Sequence, residues 1–230
     1  MFMQDQYKNK IVIIDYGLGN LFSVQYACSA VGLESVITAD RNIIMRSSGI
    51  ILPGVGAFGD AMNNLKRLDL INVIKDCVEL KKPFLGICLG MQLLFTESEE
   101  FGMHKGLDII KGKVVKFKQT GEGRAIKIPQ VGWNQIYFNK KRFNPGQAHP
   151  LKGISDGEYM YFVHSYCVVP DEEDVVCTAT EYENIRYCSA VSKDSVFAAQ
   201  FHPEKSGIEG MKIYKNWADI VHADKELVNR

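Results

Sequence analysis

Pro83-Phe-Leu-Gly-Ile-Cys-Leu-Gly-Met-Gln92 is the stretch on which the fold turns. Phe84, Leu85 and Ile87 form a short apolar run that reads as a buried strand. Cys88 follows, with Gly86 two places before it and Gly90 two places after. Leu89, Leu93 and Leu94 then recur at helical spacing. A sharp strand-to-helix turn of this kind crowds backbone against backbone, so that side chains at 86 and 90 would clash, and it pushes the central side chain out of the sheet. The pattern is that of a nucleophile elbow with Cys in place of Ser. A thiol at such a turn sits at a helix N-terminus, where free N–H groups favour the thiolate. The same ten residues also describe a small buried cysteine between helix-packing glycines, and at this point both readings stand.

Upstream, the chain alternates strands with helices. Residues 10–15 are a buried strand, followed by the turn Tyr16-Gly-Leu-Gly-Asn20, in which Asn20 is placed to cap a helix. That helix carries Leu21, Val24, Ala27, Cys28 and Val31 on one side and stops at Gly32. Gly17 and Gly19 invite a dinucleotide-binding reading, but Phe22 occupies the place of the third glycine. Residues 34–38 and 49–52 read as two more strands. Ala61, Leu65, Leu68, Ile71, Ile74 and Val78 keep helical spacing, with a break near Asp69. This alternation predicts an α/β protein with a doubly wound, mostly parallel sheet flanked by helices. In such sheets ligands bind at the carboxyl ends of the strands, where Cys88 falls. Pro53-Gly-Val-Gly56 ends the third strand at that same edge. It reads either as a plain glycine-rich turn or as a loop that turns an N–H inward to form an oxyanion hole.

After Phe95 the pattern changes to short alternating segments. Residues 113–118, 126–128, 134–138 and 158–164 read as strands, many of them antiparallel, separated by loops at 118–124 and 139–153. Residues 175–180 and 185–191 suggest a further hairpin, and residues 196–201 a buried strand running into His202-Pro203-Glu204. In an extended segment residues 202 and 204 point the same way. A carboxylate there can hold one imidazole nitrogen and leave the other for a nucleophile, although His-Pro-Glu also serves as a surface turn. Trp133, between Gly132 and Asn134, is either a corner residue of the core or an exposed anchor for a partner. His164-Ser-Tyr166 can supply polar groups to a pocket. Residues 211–221 close the chain as an amphipathic helix. No linker, repeat or low-complexity tract divides it, so residues 1–230 are expected to be one domain with its core at about 10–221.

Composition narrows the chemistry. Lys+Arg and Asp+Glu both number 27 in 230 residues, and no basic stripe stands out, which argues against nucleic acid as the main ligand. No apolar run approaches the roughly 18 residues of a membrane helix, and residues 1–10 lack the apolar region of a signal peptide. The six cysteines are scattered, which suits reduced thiols and a cytoplasmic location. Neither Cys nor His shows metal-ligand spacing, and neither a metal nor a cofactor is expected.

Taken together, Pro-Gly-Val-Gly, Gly-Ile-Cys-Leu-Gly-Met-Gln and Gln-Phe-His-Pro-Glu-Lys-Ser, in that order, resemble the class I (triad) glutamine amidotransferases. Asp15-Tyr-Gly-Leu-Gly-Asn20, Gly132-Trp-Asn134 and Tyr161-Phe-Val-His-Ser-Tyr166 are similar to one branch of them, the glutaminase subunits of imidazole glycerol phosphate synthase. The resemblance runs over about residues 10–221. It implies that Cys88 attacks the side-chain amide of glutamine, that His202 moves the proton and that Glu204 orients the imidazole. It also implies an oxyanion hole from the N–H groups of Val55 and Leu89, and a glutamine pocket lined by Gly56, Gln92, Glu100, Ser165 and Tyr166. Gln92 lies one helical turn beyond Cys88 and on its face.

The partner implied is a (β/α)8-barrel cyclase subunit, in a heterodimer. It receives the ammonia and makes imidazole glycerol phosphate for histidine biosynthesis. Trp133, Asn134 and Tyr161 would lie at or near that interface. A paralogous branch feeding ammonia to enzymes of bacterial surface-sugar synthesis shares these motifs. A stand-alone cysteine hydrolase would share only the elbow and the histidine. A catalytically dead binding module would not need an intact Cys88, His202 and Glu204.

Overall fold

A strand covered on both faces has no polar side to present, and four strands here are buried at every position: β1 (Ile11–Ile14), β3 (Gly49–Gly54), β4 (Phe84–Cys88) and β13 (Val196–Ala199). With the half-buried strand β2 (Ser35–Thr38) at one edge, they form a parallel sheet in the order β2-β1-β3-β4-β13. This computed structural model describes residues 7–117, 126–140 and 148–228. The expected loop at 118–124 lies outside the described residues, as do residues 141–147 of the expected loop at 139–153.

Alternate residues of each strand feed two separate cores, one on each face. Val12, Ile14, Ile50, Leu52 and Phe84 pack with α2 (Arg41–Arg46), α3 (Phe58–Arg67) and α4 (Leu70–Glu79). Ile11, Ile13, Ile51, Leu85 and Ile87 pack with α1 (Leu21–Ala30) and α6 (Gly207–Val228), chiefly through Val24, Ala27, Tyr214 and Trp217. The sheet is therefore doubly wound, as the alternation predicts. The helix break near Asp69 is real: Asp69 takes a left-handed conformation between α3 and α4. Asn20 stands at the start of α1 but makes no side-chain cap bond, so that detail of the sequence reading does not hold.

The second half extends the sheet with antiparallel strands. β12 (Ile185–Lys193) pairs with β13, and β11 (Val176–Tyr182) pairs with β12. β10 (Tyr166–Pro170) meets β12 at one pair of residues and runs along β7 (Ile110–Lys116) over five. β5 (Phe95–Ser98) is parallel to β7, and β6 (His104–Lys105) closes that edge. β8 (Gln130–Phe138) and β9 (Glu158–His164) form a long hairpin that joins through β11. Residues 126–128, expected as a strand, carry none. The ladder starts at Gln130, after Pro129, which has no N–H to give to it. Among the described residues no helix is long and apolar enough to cross a membrane.

Candidate active site

Parallel register places the carboxyl ends of three strands side by side. Gly54 of β3 pairs with Cys88 of β4, and Ala199 of β13 pairs with Ile87, so Gln200 to His202 emerge beside the elbow. Cys88 has φ 54° and ψ −112°, a conformation that only surrounding structure can hold in a residue with a side chain. What holds it is close approach. A Cβ on Gly90 would stand 1.8 Å from the Leu52 carbonyl oxygen, and one on Gly86 would stand 2.8 Å from the Ala198 Cβ. The expected sharp strand-to-helix turn is present, with one correction. The helix after Cys88, α5 (Leu89–Leu93), is a single turn before β5 begins, so its dipole does little for the sulfur.

His202 and Glu204 meet, though by a different route from the one expected. Pro203–Lys205 is a turn of 3-10 helix rather than an extended segment. Within it His202 Nδ1 lies 2.7 Å from Glu204 Oε1, with both side chains almost fully buried. The His202 backbone is clamped as well. Its N–H donates to the Tyr161 carbonyl (2.9 Å), and its own carbonyl accepts from Ser206 Oγ (2.7 Å), which in turn accepts the Tyr161 N–H (3.0 Å). Burial alone would lower the His202 pKa, but the interactions with Cys88 and Glu204 outweigh it and hold the value up at about 10. His202 Nε2 and Glu204 Oε2 are buried without a hydrogen-bond partner. The imidazole is thus held by a carboxylate on one side, with the Cys88 sulfur close enough to favour its charged form.

Four thiols away from the elbow are quieted by burial. Burial pushes Cys28 and Cys167 up to about 12, Cys77 up to about 11, and Cys188 higher still. Cys88 opens on a cavity of about 250 Å³, below the range of roughly 300–1,000 Å³ that holds drug-sized ligands. Val55, Gly56, Leu89, Gln92, Glu100, Ser165 and Tyr166, all expected at the site, line it with Cys88. Glu100 accepts a 2.6 Å hydrogen bond from the Phe58 N–H at the start of α3, which fixes the carboxylate at the cavity wall. Leu89 opens α5, so its N–H has no partner inside the helix. Trp133, Asn134 and Tyr161 stand apart from the cavity on the β8–β9 hairpin. Trp133 is 52% exposed and meets Tyr161 edge-on at 6.1 Å. Asn134, its neighbour along the strand, donates to the Glu181 carbonyl.

The residues of the chain match the family model described as glutamine amidotransferase class-I over residues 12–220. Imidazole glycerol phosphate synthase subunit HisH from Aquifex aeolicus is 47% identical over 209 residues, covering 90% of this chain and 95% of that one. The chain belongs to the class-I glutamine amidotransferases, in the HisH branch. The protein of the same name from Syntrophotalea carbinolica is also 47% identical, over 91% of this chain and all of its own. The solved structure of PurLQS from Thermotoga maritima shares the fold, with TM-score 0.66 at 18% identity over 92% of this chain and 98% of the matched one.

The sequence reading assigns no role to two groups of this amidotransferase's site, Gln200 and Tyr16, and only a general one to a third, His164. Gln200 is wholly buried and donates to Cys88 Sγ (3.6 Å). Tyr16 Oη donates to the Pro53 carbonyl (2.8 Å), and burial followed by the nearby Cys88 charge pushes its phenol far above the usual range. His164 lines the cavity beside Ser165 and Tyr166, in keeping with the polar-pocket reading, and joins a buried network that reading does not contain. Its Nδ1 faces the Tyr166 carbonyl (2.8 Å) and its Nε2 the Tyr187 hydroxyl (3.2 Å), which donates to Gln130 Oε1 (2.9 Å). The readable signal for Gln200 is its place two residues before His202 at a strand end, where alternate side chains share a side.

Proposed function

We propose that the cavity at Cys88 hydrolyses glutamine to glutamate and ammonia, and that the chain works as the glutaminase subunit of imidazole glycerol phosphate synthase. The observation that carries the reading is the convergence on one small cavity of a thiol and its expected lining residues, with a buried His–Glu pair close to the sulfur. In this mechanism the Cys88 thiolate attacks the amide carbon, and the carbonyl oxygen takes the negative charge toward the N–H groups of Val55 and Leu89. Losing one such donor costs about 3 kcal/mol of barrier. The protonated His202 gives its Nε2 proton to the departing ammonia. It then takes a proton from the water that opens the thioester, and Glu204 keeps the ring in register throughout.

Gly56, Gln92, Glu100, Ser165 and Tyr166 form the glutamine pocket in this reading. Gln92 spends both amide hydrogens inside the protein, on the Tyr166 carbonyl (3.1 Å) and on Gln200 Oε1 (2.9 Å). It therefore meets substrate as an acceptor, toward a substrate N–H. Ammonia is mostly protonated in neutral water and so a poor nucleophile there, which is the chemical reason for passing it directly to a partner. The partner we propose is the barrel-shaped cyclase subunit, docked on the aromatic face around Trp133 and Tyr161. Because the Tyr161 backbone clamps His202, pressure on that face reaches the triad directly.

The test is glutamate release by the purified protein alone, and then with an imidazole glycerol phosphate cyclase and its nucleotide substrate, with Cys88→Ala as control. Strong stimulation that the mutant abolishes is the expected result. Full activity without the partner would refute the subunit role. Activity that survives Cys88→Ala would refute the nucleophile.

A further inference from the structure

A sulfur that carries charge in a buried site needs donors, and a one-turn helix supplies few. Among the described residues the side-chain group in hydrogen-bond contact with the Cys88 sulfur is the Gln200 amide; the Val163 carbonyl lies 3.8 Å away, and His202 stands close by. Gln200 follows the last residue of β13 and is 0% exposed. Its Nε2 lies 3.6 Å from Cys88 Sγ, and its Oε1 accepts from Gln92 Nε2 at 2.9 Å. The amide orientation follows from chemistry. The Tyr166 carbonyl can only accept, so the Gln92 group facing it at 3.1 Å must be the NH2. The second hydrogen of that NH2 then meets Gln200 and requires an oxygen there, which turns the Gln200 NH2 toward the sulfur. Reversing either amide would set two donors or two acceptors against each other in a sealed space.

We propose that Gln200 is a further catalytic residue, whose side-chain N–H holds the negative charge of the Cys88 sulfur. The inference rests on the reading of Cys88 as the nucleophile. No proton moves on Gln200 at any stage. Its N–H bonds the thiolate strongly before attack and weakens its hold as the S–C bond forms, because a thioester sulfur is a poor acceptor. It regains that hold as the S–C bond breaks on hydrolysis and the sulfur leaves as thiolate. His202 supplies the mobile proton, and Gln200 supplies a fixed dipole from the other side. The titratable groups around the sulfur are His202, backed by Glu204, Tyr16 across the elbow, and Glu100 and Tyr166 on the walls of the shared cavity. His164 stands one step back, on the far side of the Tyr166 carbonyl.

The experiment follows alkylation of Cys88 by iodoacetamide against pH, read by mass spectrometry on the Cys88 peptide, in wild type, Gln200→Met and Gln200→Glu. Gln200→Met keeps the length and removes the donor. Gln200→Glu keeps the shape and sets an oxygen against the sulfur. We expect the alkylation midpoint to rise by about one pH unit in Gln200→Met and further in Gln200→Glu. Glutaminase kcat should fall about tenfold or more, the scale of one hydrogen bond to a charged group, with KM for glutamine little changed. Unchanged midpoints in folded variants would overturn the proposal.

A measurement on the wild-type protein covers the case in which neither variant folds. The Gln200 side-chain amide proton resonance should titrate with the Cys88 midpoint and stop doing so in Cys88→Ser. A resonance indifferent to Cys88 would overturn the proposal equally. Failure of Cys88→Ala to abolish glutamate release would strike the nucleophile reading instead, and the two failures are distinguishable.

Discussion

Two histidines lie near the site, and their environments push them in opposite directions. Burial pulls His164 down to about 4, with the Tyr166 carbonyl opposing and the neighbouring His202 adding to the fall. His202 is held up at about 10 by Cys88 and Glu204 against its burial. The signs of their linkage to folding are therefore opposite. For His164, the unfolded chain takes up a proton below about pH 6.5 while the folded protein does not, so stability falls as pH drops from 6.5 toward 4. The size of that loss is on the order of 3 kcal/mol. For His202, the stabilisation is complete below about pH 6.5 and is lost as pH rises toward 10. Denaturant midpoints measured from pH 4 to 7 should fall toward acid in wild type and fall less in His164→Gln. Equal acid slopes would contradict the burial of a neutral His164. The Glu204 partner of His202 was legible in sequence, but neither shift was, because burial and the approach of Cys88 to His202 and of His202 to His164 depend on residues far away along the chain.

Among the elements, the short turn at Pro203–Lys205 shows how secondary structure sets catalytic geometry. The sequence pattern predicts residues 202 and 204 side by side on a strand, and the pairing is right while the element is not. Alternation along the chain applies instead to Gln200 and His202, both of which engage Cys88. Ser206 is what ties this turn to β9, through a buried hydroxyl that serves the Tyr161 N–H and the His202 carbonyl together. Ser206→Ala strands the Tyr161 N–H in the interior, at about 1–3 kcal/mol, and leaves the His202 carbonyl with the Lys205 N–H alone. We expect stability to drop by a few kcal/mol and glutaminase kcat to fall several-fold, read from denaturant curves and initial rates. A variant of wild-type stability and rate would show that the clamp is dispensable. The β8–β9 hairpin carries the same lesson in the other direction. Its aromatic positions were legible, but Trp133 is exposed rather than a core residue because the hairpin hangs at the edge of the sheet, off the main run of strands.

At the scale of the molecule, a doubly wound sheet faces one set of strand ends with an aromatic surface joined to it through β9. Val131, Trp133 and Tyr159 are each more than half exposed. Trp133 and Tyr159 lie across the hairpin, paired with Tyr161 and Gln135 respectively. If a partner docks there, Trp133→Ala should weaken its binding by about 2 kcal/mol, or roughly thirtyfold, the scale of an interface anchor. Titration calorimetry against the cyclase checks this, with the thermal midpoint as the control for folding. Undiminished affinity would move the interface elsewhere.

The sequence by itself determined the parallel α/β half, because strands buried on both faces and amphipathic helices write their periods into neighbouring residues. It also determined the elbow, because only glycine tolerates the approach of Gly90 to Leu52. Tertiary structure alone decided which distant groups meet the sulfur. Gln200 and Tyr16 are set around Cys88 by strand register and crossovers, and a hydrogen bond between residues a hundred positions apart leaves no period in the chain.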